Sequence, residues 1–325
     1  MADIFVSRRI FQEVIDMLKE KGHDVEVNDS SRILPQEELI EKTRGKEGLI
    51  CLLNDTIDEK FLDACPDLKV VSNVAVGYDN IDVDAATDRG VIVTNTPGVL
   101  TDTTADLAFT LLMSAARRIP EADRYSREDK YEGWELMQPH VGVDVYGKTL
   151  GIVGMGRIGQ AIAKRAHKGF DMNIIYTDIE RRKGVEEEFG AKYVGFDEIL
   201  KKSQFITIHV PLTPETEGMF GGEEFERMND DAILVNAARG PIIDEDALAK
   251  AIKNDQLRGA AIDTFEDEPD VNSKLAEIEE FVVLTPHIGS ASLETRLKMV
   301  KMAVENMIAG LKGKEPRNII NEGVL

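Results

Sequence analysis

Residues 150–159 read Leu-Gly-Ile-Val-Gly-Met-Gly-Arg-Ile-Gly, and Asp178 closes the next apolar run, Asn-Ile-Ile-Tyr-Thr-Asp (173–178). Gly154 permits a tight turn off the strand, Gly156 lets backbone approach a pyrophosphate, and Gly159 allows helix and strand to pack closely. The positive end of the helix that runs on from Gln160 faces the phosphates. A G-x-G-x-x-G by itself is only a glycine-rich turn. Here it follows an apolar strand, opens an Ala-rich helix and has its acid about twenty residues further on, which predicts a nicotinamide dinucleotide site.

The rest of the composition suits such a reading. At 325 residues the chain can build two domains, each with its own core. It carries 60 acidic against 39 basic residues, a net charge of −21. So negative a surface repels nucleic acid and anionic membranes, and no Lys/Arg stripe interrupts it. Two cysteines, Cys51 and Cys65, are too few for a disulfide framework or a zinc site, so no metal is expected. Cys51, in Leu-Ile-Cys-Leu-Leu, reads as a small buried hydrophobe. The N-terminus enters a strand at once without a signal-type apolar stretch, and no window is long enough to span a bilayer. A cytoplasmic protein is the expectation.

Short β-type runs alternate with helical stretches throughout, the pattern of parallel α/β sheets. Strands are predicted at Asp3–Ser7, Asp24–Asn28, Gly48–Leu53, Lys69–Val74 and Val91–Thr94, with helices near Phe11–Lys21, Gln36–Thr43 and Asp58–Cys65. This first part has no phosphate-binding glycine loop. An apolar helix follows over Asp102–Arg118, with Thr101 as its candidate N-cap. The second part starts with the strand at 148–149 and continues through strands at Asn173–Thr177, Lys192–Gly195, Phe205–Val210, Ala232–Asn236, Gly259–Asp263 and Phe281–Leu284. After Pro286 the chain turns helical from Ala291 to Leu311. The fold class is α/β, with two Rossmann-like units built on parallel sheets.

Three titratable residues fall just after strands of the second part, where open parallel sheets present their ligands. Arg239 follows Leu-Val-Asn-Ala-Ala, Glu268 follows Ala-Ile-Asp-Thr-Phe-Glu-Asp, and His287 follows Val-Val-Leu-Thr-Pro. Hydride transfer to a 2-oxo acid needs a proton donor for the carbonyl oxygen, and His suits that near neutral pH. It needs a cation to hold the carboxylate and polarise the carbonyl, for which the Arg fork is apt. A carboxylate beside the His would orient the ring and raise its basicity. Singly, each has an ordinary alternative: a surface charge, a loop acid, a packed turn histidine. Of the other histidines, His23, His140 and His167 compete poorly, whereas His209 beside Pro211 can line the adenosine side of the cofactor.

Several longer stretches resemble one known family. Asn-Ala-Ala-Arg-Gly-Pro (236–241), Ala-Ile-Asp-Thr-Phe-Glu-Asp-Glu-Pro (261–269) and Thr-Pro-His-Ile-Gly-Ser-Ala (285–291) are similar to signatures of the D-isomer-specific 2-hydroxyacid dehydrogenases. So are residues 76–82, 93–100 and 103–109, and the likeness runs essentially from end to end. Within the family, residues 144–159 most resemble the glyoxylate/hydroxypyruvate reductases.

The resemblance implies a discontinuous substrate-binding domain, 1–100 with 286–325, around an NAD-binding domain, 101–285, with the active site in a closing cleft. It implies that Arg239 binds the substrate carboxylate and carbonyl, that His287 is the general acid/base and that Glu268 is its partner. Asp263 would hold the nicotinamide carboxamide, with Thr104 near the same end; a strand-end cap is the alternative for Asp263. Further cofactor contacts would come from Arg157, Ile158, His209, Pro211, Thr216, Ala237, Ala238 and Gly289. Main-chain amides at Val76 and Gly77 would hold the substrate carboxylate, with Leu53 in a lid loop, core packing being the alternative for Leu53. The helix 102–118 and the segment after it would form a homodimer surface. The loop between Trp134 and Gly142 departs from the more aromatic one usual in the glyoxylate reductases, where a Trp reaches the neighbouring subunit.

Departures from other family members narrow the activity. Glu268 stands where formate dehydrogenases carry Gln, and Val76 stands where phosphonate dehydrogenases carry Lys. NADH-dependent reduction of glyoxylate, with hydroxypyruvate second, is the expectation; a D-3-phosphoglycerate or broad D-2-hydroxyacid dehydrogenase is the alternative, and an NAD-sensing corepressor-like scaffold is a remote one. Asp178 can accept hydrogen bonds from ribose hydroxyls and repels a 2′-phosphate, and Glu180 adds to that repulsion, so NADH is expected over NADPH. Arg181 and Arg182 follow closely and leave weak NADP use open.

Overall fold

Runs such as Leu49-Ile50-Cys51 and Ile233-Leu234-Val235 are apolar at every position, which suits strands covered on both faces. Residues 48–51 and 233–236 are buried throughout. The computed structural model describes residues 1–30 and 32–324. One sheet holds β1 (Asp3–Val6), β2 (Asp24–Val27), β3 (Gly48–Cys51), β4 (Val70–Asn73) and β5 (Ile92–Thr94). Helices α1 (Gln12–Glu20), α2 (Gln36–Thr43), α3 (Glu59–Ala64) and α4 (Val83–Asp88) connect its strands. After α5 (Thr101–Ala116) and α6 (Ile119–Arg127) comes the second sheet. Its strands are β6 (Thr149–Val153), β7 (Asn173–Thr177), β8 (Lys192–Tyr193), β9 (Phe205–Ile208), β10 (Ile233–Asn236), β11 (Gly259–Ile262) and β12 (Val282–Leu284). Between them lie α7 (Arg157–Phe170), α8 (Lys183–Phe189), α9 (Phe196–Lys202), α10 (Gly222–Arg227), α11 (Glu245–Lys253) and α12 (Ser273–Ala276), and α13 (Leu293–Leu311) follows the last strand.

The strand orders are β2-β1-β3-β4-β5 and β12-β11-β10-β9-β6-β7-β8, and every pairing is parallel. Both are doubly wound orders, as the alternation of strand and helix signals requires. The chain divides into two compact units, Met1–Leu100 with Ala291–Leu325, and Thr101–Ser290. Residues 286–290 stay with the second unit because the His287 amide donates to the Asp263 carbonyl at 2.8 Å and the Ile288 amide to the Asp263 carboxylate at 2.8 Å.

In the second unit, α5 and α7 cover one face of the sheet, with Ala105, Ala108 and Leu112 in the same core as Ile162, Ala163, Ile152 and Tyr176. Ile199, Phe225 and Leu248 of α9, α10 and α11 belong to the core of the other face. Cys51 and Cys65 are both buried and unbridged. No helix among the described residues is long and apolar enough to cross a membrane.

Some local expectations change. Thr101 is the first residue of α5 and not a cap outside it. Helices α4 and α6 are absent from the sequence reading, because both are short and rich in polar residues. Asp82 caps α4 by accepting from the Ala85 amide at 2.9 Å, and α6 follows Arg118 in a left-handed conformation. Strands β3, β9 and β11 stop short of Leu53, Val210 and Asp263, which leaves those residues in the connecting loops.

The first unit is completed from far along the chain. Val300, Val304 and Met307 of α13 share a core with Ile4, Ile50, Val70 and Ile92. Beyond the helix, the Ile320 amide donates to the Val93 carbonyl at 2.8 Å. Asn321 accepts from the Val93 amide at 2.9 Å and donates to the Val91 carbonyl at 2.8 Å and the Thr87 hydroxyl at 3.1 Å. Asn321→Ala strands buried backbone groups on the edge strand β5 and should cost about 1–3 kcal/mol. The expected result is a lowered melting temperature with dinucleotide binding intact; an unchanged melt would show that the Ile320 pairing alone suffices.

Candidate active site

The glycine loop is shaped by contact. Gly154 has φ +94°, and a Cβ there would lie 2.6 Å from the His209 carbonyl oxygen, so the loops after β6 and β9 touch at this point. A Cβ on Gly159 would lie 2.1 Å from the Gly154 carbonyl oxygen, so α7 sits directly against the turn. At Gly156, the N-cap of α7, a Cβ would meet nothing within 4 Å. This is open space at the amino end of a fourteen-residue helix whose cap has no side-chain hydrogen bond, a cradle suited to a phosphate. Arg157 is exposed beside it, and Ile158 packs on the core.

Asp178, just past β7, accepts from the Met155 amide at 2.6 Å and from the Glu180 amide at 3.0 Å. It is thereby tied to the glycine turn. The segment behind it is held by the buried Tyr176, whose hydroxyl accepts from the Arg182 amide at 2.7 Å and donates to Glu186 at 2.9 Å. Both neighbouring guanidiniums are engaged by acids: Arg181 with Glu186 at 2.7 Å, Arg182 with Glu180 at 2.8 Å. His209 has its Nε2 at 2.9 Å from the Thr207 hydroxyl, and burial pushes its imidazole down to about 3, so it stays neutral. The Thr216 hydroxyl donates to the Pro211 carbonyl at 2.7 Å and accepts from the Thr213 amide at 2.8 Å, closing its own loop.

The loops after β10, β11 and β12 bring the three titratable residues together. His287 Nδ1 lies 3.0 and 2.9 Å from the two carboxylate oxygens of Glu268. Burial works to raise the Glu268 carboxyl. His287, the Phe265 amide at 3.2 Å and the charge of Arg239 outweigh that and hold it below the ordinary carboxylate range. An ionised Glu268 can only accept, so the Nδ1 proton belongs to the imidazole and Nε2 is the nitrogen left to exchange one. His287 itself stands at φ +50°, an uncommon conformation for a side chain of this size.

Asp263 is wholly buried, and burial raises its carboxyl above the usual value although the Thr285 hydroxyl, the Ile288 and Gly289 amides and His287 work the other way. Its Oδ1 accepts from Thr285 at 2.6 Å and from Ile288 at 2.8 Å. Oδ2 has no hydrogen bond of normal geometry among the described residues. Thr104 and Gly289 border this oxygen: a Cβ on Gly289 would lie 3.4 Å from Oδ2 and 3.6 Å from Thr104. An unsatisfied buried acceptor flanked by a glycine and a threonine fits an amide donor such as a nicotinamide carboxamide.

Several supporting residues escape the sequence reading because their partners are distant or local in ways composition does not signal. Asn236 donates to the Arg239 carbonyl at 2.8 Å and accepts from the Ala238 amide at 3.0 Å, which shapes the turn carrying Ala237, Ala238 and Arg239. Thr285 orients Asp263. Gly240 lies where a Cβ would meet the Phe265 carbonyl carbon at 1.9 Å, so the Arg239 turn is pressed onto the loop that carries Glu268.

In the first unit, Leu53 is half-buried in the turn after β3, outside the core. Val76 and Gly77 follow β4. Their carbonyls accept from Asn95 at 2.8 Å and Asn73 at 3.0 Å, and neither amide has a partner among the described residues.

Residues 109–289 match the family model described as D-isomer specific 2-hydroxyacid dehydrogenase, NAD binding domain. A glyoxylate reductase from Thermococcus litoralis is 48% identical over 99% of this chain and 97% of its own length. Among solved structures, the TT0316 protein from Thermus thermophilus is 39% identical over 98% of this chain and 99% of its own, with a TM-score of 0.92. An NADPH-dependent glyoxylate/hydroxypyruvate reductase from Sinorhizobium meliloti is 30% identical over 99% of both chains, with a TM-score of 0.84.

Gly240→Ala tests how closely the Arg239 turn must seat. A displacement of about 1 Å can cost about a hundredfold in rate. Turnover is expected to fall by that order while dinucleotide affinity, measured by fluorescence titration, stays near wild type; equal losses in both would instead mean that the second unit as a whole has shifted.

Proposed function

Given that the chain belongs to the D-isomer-specific 2-hydroxyacid dehydrogenase family, and is a nicotinamide-dependent oxidoreductase, we propose that it reduces glyoxylate, and hydroxypyruvate second, with NADH. The observation that carries this reading is the Glu268–His287 pair set beside Arg239 at the ends of three adjacent strands. The dinucleotide, when bound, supplies the hydride that reduces C2 of the 2-oxo acid. His287 gives a proton from Nε2 to the carbonyl oxygen, and Glu268 steadies the imidazolium before that transfer. Arg239 binds the substrate carboxylate and polarises the carbonyl. The Val76 and Gly77 amides are assigned to the substrate carboxylate, and Leu53 limits what fits beside them. Residues 1–100 with 291–325 then act as the substrate-binding domain and 101–290 as the NAD-binding domain.

A bound dinucleotide would be held by the loops after β6, β7 and β9–β12. Gly154, Gly156 and Gly159, with Arg157 and Ile158, take the pyrophosphate. His209, Pro211 and Thr216 line the adenosine side through the shape of their loop, and Ala237, Ala238, Thr104, Asp263 and Gly289 take the nicotinamide end. Asp178 keeps free acceptor capacity for ribose hydroxyls beyond the amides it holds. With Arg181 paired to Glu186 and Arg182 to Glu180, the carboxylates beside Asp178 oppose a 2′-phosphate. That favours NADH, although the Sinorhizobium relative is described as NADPH-dependent.

A homodimer is part of the proposal. Trp134, Leu136 and Met137 are 75%, 78% and 82% exposed in the irregular stretch after α6, a concentration of apolar surface that a second copy would cover. Sedimentation is expected to give about twice the 36.1 kDa chain mass, and Trp134→Ser with Met137→Ser to weaken the association; a monomer at micromolar concentration rejects it.

The activity test is NADH oxidation with glyoxylate, hydroxypyruvate, pyruvate and 3-phosphohydroxypyruvate compared by kcat/KM, with NADPH in parallel. Glyoxylate and hydroxypyruvate should lead, and NADH should surpass NADPH. His287→Ala should lose about 10²–10⁴ in kcat and keep its dinucleotide affinity. Preference for the phosphorylated acid overturns the substrate, and a near-normal His287→Ala rate overturns the proton donor.

A further inference from the structure

Beneath the two loops that the functional reading gives to the substrate, the first unit holds a chain of polar side chains. Asp55 is 1% exposed. Its carboxylate accepts from the Leu52 amide at 2.8 Å, from the Ser7 hydroxyl, and from Arg8 at 3.4 Å. The turn that carries Leu53 is thus pinned from below to the end of β1. From the side it is pinned by Asn80, whose Nδ2 donates to the Leu52 carbonyl at 3.2 Å and to the Asp55 carbonyl at 2.9 Å. The Asn80 Oδ1 accepts from Asn73 Nδ2 at 3.1 Å, and the same Asn73 nitrogen donates to the Gly77 carbonyl at 3.0 Å. Two side-chain amides in series, Asn80 and Asn73, therefore join the Leu53 turn to the Gly77 carbonyl.

We propose that Asn80 is a positioning and specificity-determining residue, whose carboxamide sets the gap between the Leu53 turn and the Val76–Gly77 amides and so the size of 2-oxo acid accepted. This rests on the reading that those two loops touch substrate. The arrangement suits the task because its donors and acceptors are matched. Both Nδ2 protons go to carbonyls of the turn, and Oδ1 takes the proton that Asn73 can spare. Neither Asp nor Leu, both close to Asn in size, can reproduce that pattern. The backbone of the two segments is joined separately, by the Ile57 amide donating to the Asn80 carbonyl at 2.9 Å and the Asp82 amide to the Ile57 carbonyl at 2.9 Å. Removing the side chain therefore loosens the 52–55 turn and leaves the segment from 57 onward in register.

The experiment is steady-state kinetics on Asn80→Ala, Asn80→Asp and Asn73→Ala in the full chain, beside wild type. Dinucleotide affinity is measured by fluorescence and folding by thermal melts. Two lost hydrogen bonds in the turn predict a rise in glyoxylate KM of about tenfold. kcat should change by less than about threefold and dinucleotide affinity should not move, because those terms belong to the second unit. The preference for glyoxylate over a bulkier 2-oxo acid should relax in the same variants. Asn80→Asp should be at least as impaired as Ala, since an ionised oxygen would face two carbonyls. Should Asn80→Ala melt early, Asn73→Ala, which cuts the other side of the link, decides the matter. Unchanged KM and preference in folded Asn80→Ala or Asn73→Ala overturns this inference and leaves the functional reading standing. A wild type that reduces no 2-oxo acid overturns both.

Discussion

The near-contact of Gly154 with the His209 carbonyl is the constraint on which the second unit's working end depends. β6 is the strand at which the order reverses, with β7 and β8 to one side and β9 to β12 to the other. Loops leaving β6 and β9 must part there, and the crevice between diverging loops is where open α/β sheets take ligands. A side chain at position 154 would force them apart at the root. With hydrogen in that place, α7 seats on the turn through Gly159, the Met155 amide reaches Asp178, and the helix amino end is left open at Gly156.

At the other end of the same crevice, two carboxylates five residues apart in the chain are driven in opposite directions. Glu268 accepts from an imidazole and lies within the field of a guanidinium, so ionisation is favoured in spite of burial. Asp263 is enclosed by backbone and a threonine, so burial prevails and one oxygen is left unsatisfied. One loop thus presents a committed base to a histidine and an open acceptor to whatever donor occupies its front. The difference comes from placement, since both are ordinary acids by type.

What could be read in the sequence follows from how local each signal is. The strands were legible because parallel strands buried on both faces are written as unbroken apolar runs, and the glycine loop because its roles are repeated at short spacing. Arg239, Glu268 and His287 stood out because each follows a strand, and the structure places them beside one another. The residues that hold them did not. Thr285 and Gly240 act through partners identified only once β10, β11 and β12 lie side by side, and Asn236 through a local turn that its residue type alone does not signal. Helices α4 and α6 lacked an apolar stripe long enough to register. The apolar run through Leu53 has the pattern of a strand, yet Asp55 draws the chain inward there and ends the pairing.

The interrupted construction of the first unit bears on how the protein is made. Its sheet is covered by α13, and its edge strand is satisfied by residues 320 and 321, while 101–290 form a compact unit of their own. On a ribosome, the first hundred residues therefore emerge without the helix that buries Ile4, Ile50 and Val70. The middle of the chain can fold to completion while the beginning waits. An N-terminal half-domain held open during synthesis exposes apolar strands for as long as some two hundred further residues take to appear, about 10–40 s at ordinary elongation rates. The interval in which a chaperone would be of use is thus written into the order of the elements.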